Sequence, residues 1–117
     1  MDIEYPAFGT IIVNGEKYEH DVILENGRVR ARDKGPSRSL KSSHGHTPLS
    51  AREDIPWSTS KLVIGSGYSG RLPVLPEIEE EAQKRNIELT VMPTASAVET
   101  LNAAEEGSVN AVLHVTC

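Results

Sequence analysis

At 117 residues the chain is sized for one modest core rather than two, so a single domain spanning 1–117 is expected. Hydrophobic residues at 38% and charged residues at 25% exclude a disordered composition. No apolar run approaches the roughly 18–20 residues of a spanning helix. A formal net charge of −5 speaks against a general nucleic-acid binder.

The start, Met1-Asp2-Ile3-Glu4-Tyr5-Pro6, has neither a basic and apolar leader nor an arginine-rich transit pattern, so a cytoplasmic location with no membrane contact is expected. Phe8 to Val13 reads as a strand rich in Ile and Val. Asn14-Gly15 then supplies the positive-φ residues of a tight hairpin, and Tyr18 to Leu24 resumes the strand. A second turn, Asn26-Gly27, leads into Arg28–Arg32, where alternation puts the arginines on one face and Val29 and Ala31 on the other. The expected product is a three-strand antiparallel meander.

From 33 to 60 the periodicity fades among prolines, glycines and serines. Only Ser50 to Ile55, with Ser50 as cap and Glu53 three residues later, suggests a short helix. Trp57 is expected to anchor this segment to the core. Lys61 to Ile64 is a buried-type strand, followed by the glycine-rich turn 65–70. Pro76 opens a helix to about Arg85, with glutamates early and Lys84 and Arg85 late, matching the helix dipole. Ile87 to Val91 forms the next strand. A second helix begins near Thr94 or Ser96 and runs to about Glu106, with Ala97, Leu101 and Ala104 as its buried stripe. Val109 to Val115 closes the order βαβαβ, which predicts parallel strands with right-handed crossovers.

The charge is uneven. Between Arg28 and His46 six basic residues stand against Asp33 alone, whereas between Glu77 and Glu106 eight glutamates stand against Lys84 and Arg85. Such a basic segment is either a solvated face or a docking surface for an anionic partner or a second subunit, with Arg30, Arg38 and Lys41 as the candidate contacts.

Gly65-Ser66-Gly67-Tyr68-Ser69-Gly70 is a literal G-x-G-x-x-G after a strand, a pattern whose glycines let backbone N–H groups approach a pyrophosphate. Its context is poor. Pro73 and Pro76 hold the helix back, and Glu77, Glu79, Glu80 and Glu81 place negative charge where phosphates would lie. A phosphate-binding loop of the Lys-Ser/Thr type fails outright, because Arg71-Leu72 stands in its place.

His44-Gly45-His46 could supply two metal ligands and His20 a third, but no carboxylate or cysteine at matching spacing completes the three or four ligands of a zinc site, so no metal and no cofactor are expected. His20 and Asp21 are strand neighbours and point to opposite faces, and His114 reads as a core or rim histidine. No serine has an evident histidine and acid partner. Cys117 is the only cysteine, which rules out an intramolecular disulfide, and its position beside a terminal carboxylate is wrong for a reactive thiolate.

Phe8-Gly9, Tyr18 with His20-Asp21-Val22, the strand-turn Val63-Ile64-Gly65-Ser66-Gly67, and Thr94, Ala97, Thr100, Asn102 with Glu106-Gly107 together resemble the Mth-domain family, over nearly the whole chain. The compact length, the His44-Gly45-His46 region and the ending His114-Val115-Thr116-Cys117 are most similar to its free-standing archaeal members. The resemblance implies a three-layer α/β fold with a mixed central sheet, an N-terminal antiparallel meander and a C-terminal βαβαβ unit, and it implies no reaction. With no catalytic constellation visible in the sequence, the expected function is a non-catalytic protein-interaction or assembly module using the basic segment from Arg28 to Lys41. The alternative is a small anionic-ligand or nucleotide binder built from Gly65, Ser66, Gly67, Tyr68 and Thr94.

Overall fold

The computed structural model describes residues 1–41 and 47–117. Its strands are β1 (Ile3–Ala7), β2 (Thr10–Val13), β3 (Glu16–Tyr18), β4 (Val22–Glu25), β5 (Arg28–Ala31), β6 (Lys61–Gly65), β7 (Glu88–Met92) and β8 (Asn110–Leu113). The helices are α1 (Pro76–Lys84) and α2 (Thr94–Ala103), and a 3-10 helix covers Gly35–Leu40.

Both predicted turns form. Asn14 and Gly15 have φ of 50° and 84°, and Asn26 and Gly27 have 52° and 82°, the left-handed region that a two-residue hairpin demands. The predicted meander, however, is divided between two sheets. β1, β2 and β3 form a small antiparallel sheet, whereas β4 and β5 join the main sheet in the order β5-β4-β8-β6-β7. The strand expected over Tyr18–Leu24 breaks at a bend over Glu19 and His20, because Val22, Ile23 and Leu24 pair with Leu113, Val112 and Ala111 instead of continuing beside β2.

β6 is parallel to both β7 and β8, as the βαβαβ order predicts. The central strands are buried on both faces, so alternate residues feed two separate cores. Val22, Leu24, Val63, Ala111 and Leu113 face Ile3, Ile11, Val13, Val98 and Leu101 from the small sheet and α2. Ile23, Leu62, Ile64 and Val112 face Leu49, Ile55, Leu72 and Ile78 from α1 and the irregular segment. Three layers result.

α1 begins on Pro76 with Glu77 and Glu79 in its first turn, ends with Lys84, and buries Ile78 and Ala82 one turn apart. Asn86, at φ 55°, reverses the chain behind it. α2 buries Ala97, Val98 and Leu101 and stops at Ala103, because Ala104 is already extended. The helix expected over Ser50–Ile55 does not form. Glu53 sends its carboxylate to Arg32 rather than back to a helix start, and the segment is held by turns and by Leu49 bridging to Val74. Trp57 packs against the second core as expected, with the Arg85 guanidinium 5.2 Å from its ring centre.

Candidate functional site

The chain passes from β6 to β7 on one side and then crosses to β8 on the other side of β6. The carboxyl ends of β6 and β8, where such a reversal occurs, are where open α/β sheets have the crevice in which ligands gather, and here the chain's own last residues pack into it. The residues that meet there are Gly65–Tyr68 after β6, Thr94 at the start of α2, and His114–Cys117 after β8.

The glycines of this turn do serve close backbone approach, but what approaches is the chain's own C-terminal segment. Tyr68 N–H donates to the Thr116 carbonyl at 2.8 Å, and Ser69 and Arg71 N–H both donate to the Cys117 carbonyl, at 3.1 and 3.0 Å. Gly67 sits at φ 109°, and a Cβ there would lie 2.3 Å from the Cys117 carbonyl carbon. Thr94 does not cap its helix. Its buried hydroxyl donates to the His114 carbonyl at 2.6 Å and accepts Gly67 N–H at 2.9 Å, tying β8, the turn and α2 together. Ser66 is buried and Tyr68 is exposed.

Beside this crevice lies a buried ionic network that the sequence did not announce. Because β4 pairs with β8, Asp21 comes to rest against His114, with Oδ2 2.8 Å from Nδ1, and its Oδ1 accepts Val115 N–H at 2.9 Å. Arg32, just past β5, reaches Asp21 at 2.9 Å and holds both oxygens of Glu53 at 2.8 and 2.9 Å, with the Pro48 carbonyl accepting at 3.1 Å. Ser37 donates to Glu53 at 2.6 Å and lies 2.6 Å from the Ser50 hydroxyl. Among the described residues, every buried side-chain polar atom finds a partner.

Burial alone would raise the Asp21 pKa. The hydrogen bond and charge of His114, the Val115 N–H and the Arg32 charge outweigh it and lower the value to about 2. Burial likewise works against the Arg32 charge, yet Glu53 and Asp21 raise its pKa above the ordinary value. The spacing of 93 residues between Asp21 and His114 hid this pair, and only their positions flanking apolar strand segments hinted that both enter the core.

The candidate docking residues separate. Arg30 is held by Glu25 at 3.1 Å and Asp54 at 3.5 Å, and its neighbour Arg32 in the basic segment is buried. Arg38 and Lys41 stand exposed on and beside the 3-10 helix. At the other end of the β4–β5 hairpin, Glu25, Asn26, Arg28, Val29 and Arg30 line an open groove of about 560 Å³. β5 is an outer strand of its sheet. His44 and His46 lie outside the described residues.

Fold and crevice together define a three-layer, Mth938-like α/β protein. Residues 3–114 match the family described as a protein of unknown function (DUF498/DUF598), and the chain belongs to that family. It is similar to a conserved hypothetical protein from Pyrococcus horikoshii, with 27% identity, all of both chains covered and a TM-score of 0.81. The structure named MT938 superposes with a TM-score of 0.71 at 24% identity, covering 95% of this chain and 94% of that one. A Mth938-like domain from Bordetella pertussis reaches 0.59 at 21% identity, over 93% and 82%. The last two likenesses concern the fold alone. No helix among the described residues is long and apolar enough to cross a membrane.

Proposed function

We propose that the chain is a protein-interaction or assembly module that docks an acidic partner segment along its basic face. The observation carrying this reading is the exposure of Arg38 and Lys41, which form no ion pair among the described residues, while Arg30 and Arg32 are committed to internal partners. A cation left in solvent costs the fold little and steers an anionic partner from a distance. Arg28, also exposed, stands at the opposite end of β5, an outer strand whose outward backbone groups suit an added strand running between the two ends.

The alternative, a small anionic ligand at the Gly65-Ser66-Gly67 turn, is less supported. The N–H groups of Gly67, Tyr68, Ser69 and Arg71 already have acceptors in Thr94, Thr116 and Cys117.

A fluorescein-labelled peptide of alternating Glu and Val, followed by fluorescence anisotropy, tests the docking reading. Binding that weakens with salt and is lost in a protein carrying Arg28→Glu, Arg38→Glu and Lys41→Glu supports it. Anisotropy that stays flat for the unaltered protein, or is indifferent to the triple reversal, refutes it.

A further inference from the structure

β7 is the second outer strand of the main sheet, at the end opposite β5, and docking along the basic face makes no use of it. Its bonds to β6 fix which way its backbone faces. Glu88 N–H donates to the Ser60 carbonyl at 2.9 Å and the Met92 carbonyl accepts Ser66 N–H at 2.8 Å, so Glu88, Thr90 and Met92 turn their backbone groups toward β6. By the alternation of a strand, the N–H and C=O groups of Leu89 and Val91 point outward, and no strand or loop among the described residues bonds to them there. The usual protections of such an edge are missing. Apart from Glu88 at its start, β7 carries no charge and no proline, its register against β6 is unbroken over 5 residues, and Val91 is 46% exposed.

The strand is also complementary to itself. Run antiparallel to a copy with Thr90 opposite Thr90, it sets Leu89 of each copy opposite Val91 of the other. These are the residues whose outward groups are free, so each pair exchanges N–H···O=C bonds in both directions. The side chains agree with this register. Leu89 packs toward the α1 face and Met92 toward the α2 face, so exposed Val91 is covered by Leu89 of the second copy. Thr90 then meets Thr90, and Glu88 faces Met92 rather than another carboxylate. β5 lacks this property. Its arginines share one face, so an antiparallel copy of β5 brings arginine against arginine.

We propose that β7 is a self-association edge, pairing antiparallel with β7 of a second copy about a two-fold axis at Thr90. The two 5-stranded sheets then run on as one, with both β5 edges left free at its ends. One strand per copy is a small contact, so the dimer forms with rising concentration rather than being permanent. Each copy carries a formal charge of −5 while the bonds of the seam are uncharged. Added salt therefore strengthens this dimer, the opposite of its effect on acidic-peptide docking.

Sedimentation velocity over a concentration series tests the proposal. The mass rises from 12.7 kDa toward twice that value, and Val91→Lys, at an exposed side chain, holds it at the monomer with an unchanged melting temperature. Arg28→Glu leaves the dimer intact. Oxidative cross-linking in a Cys117→Ser background reads the register. Thr90→Cys faces its own copy in a non-hydrogen-bonded pair, where Cα atoms lie about 4.5 Å apart, and gives a covalent dimer. Glu88→Cys, facing Met92, does not. A monomer at every concentration overturns the proposal, as does a dimer that survives Val91→Lys or lacks the Thr90→Cys cross-link. Growth past the dimer that salt weakens and Arg28→Glu abolishes also overturns it, because β7 then pairs with β5 instead of with itself.

Discussion

Asp21 and His114 face each other at 2.8 Å across the seam between β4 and β8, although 93 residues separate them. The same carboxylate receives Arg32, so one buried aspartate joins the β4–β5 hairpin to the last strand.

That aspartate makes stability depend on acid. Its pKa is lowered from 3.8 to about 2 in the folded protein, so its contribution is complete above the unfolded value and is lost as pH falls through about 2. The shift corresponds to about 2 kcal/mol. Urea midpoints taken between these pH values should fall for the unaltered protein and show a shallower fall in Asp21→Asn.

Arg32 neutralises Asp21 and Glu53 together. Arg32→Met should therefore cost about 3–5 kcal/mol, because it leaves two carboxylates in the interior without their cation. Replacing exposed Arg38 with Met should cost under about 0.5 kcal/mol. Chemical denaturation of the two variants compares them directly, and equal midpoints would contradict the assigned network.

Two glycines with positive φ should respond differently to alanine. Gly15 has open space around it, so Gly15→Ala meets only the backbone cost of about 1–2 kcal/mol. Gly67→Ala carries the same cost and also drives a Cβ into the Cys117 carbonyl, so it should melt at a lower temperature than Gly15→Ala. Hydrogen exchange at Ser69 and Arg71 should accelerate in Gly67→Ala alone, reporting release of residues 116–117.

Binding of the acidic peptide should depend on ionic strength. Its contacts are exposed, so anisotropy titrations should weaken several-fold between about 0.01 and 0.15 M salt, where the screening length shortens from about 30 to about 8 Å. Arg30→Glu should disturb the hairpin as well as binding, because Arg30 also holds Glu25 and Asp54. Arg38→Glu should change binding without changing the melting temperature.

Local chemistry made much of the fold legible. Asn14-Gly15 and Asn26-Gly27 specify their own turns, Pro76 and its glutamates mark the start of α1, and short continuous apolar runs identify β6 and β8. The reading failed where distant partners decide. Ser50 and Glu53 carry the spacing of a helix cap, but charge pairing with Arg32 takes Glu53 away from that role. Thr94 likewise reads as a cap and serves instead as a clamp between Gly67 and His114.

The candidate sites divide along the same line. Sequence alone determined the basic segment, the glycine turn and the parallel crossover order, because charge, backbone freedom and hydrophobic period are properties of neighbouring residues. Only the tertiary structure decided that the glycine turn encloses residues 116–117, that Arg32 is interior while Arg38 is exposed, and that Asp21 meets His114. Those facts depend on the register of β4 against β8 and on the crossing of the chain from β7 to β8, pairings between segments whose separation leaves no periodic trace in the chain.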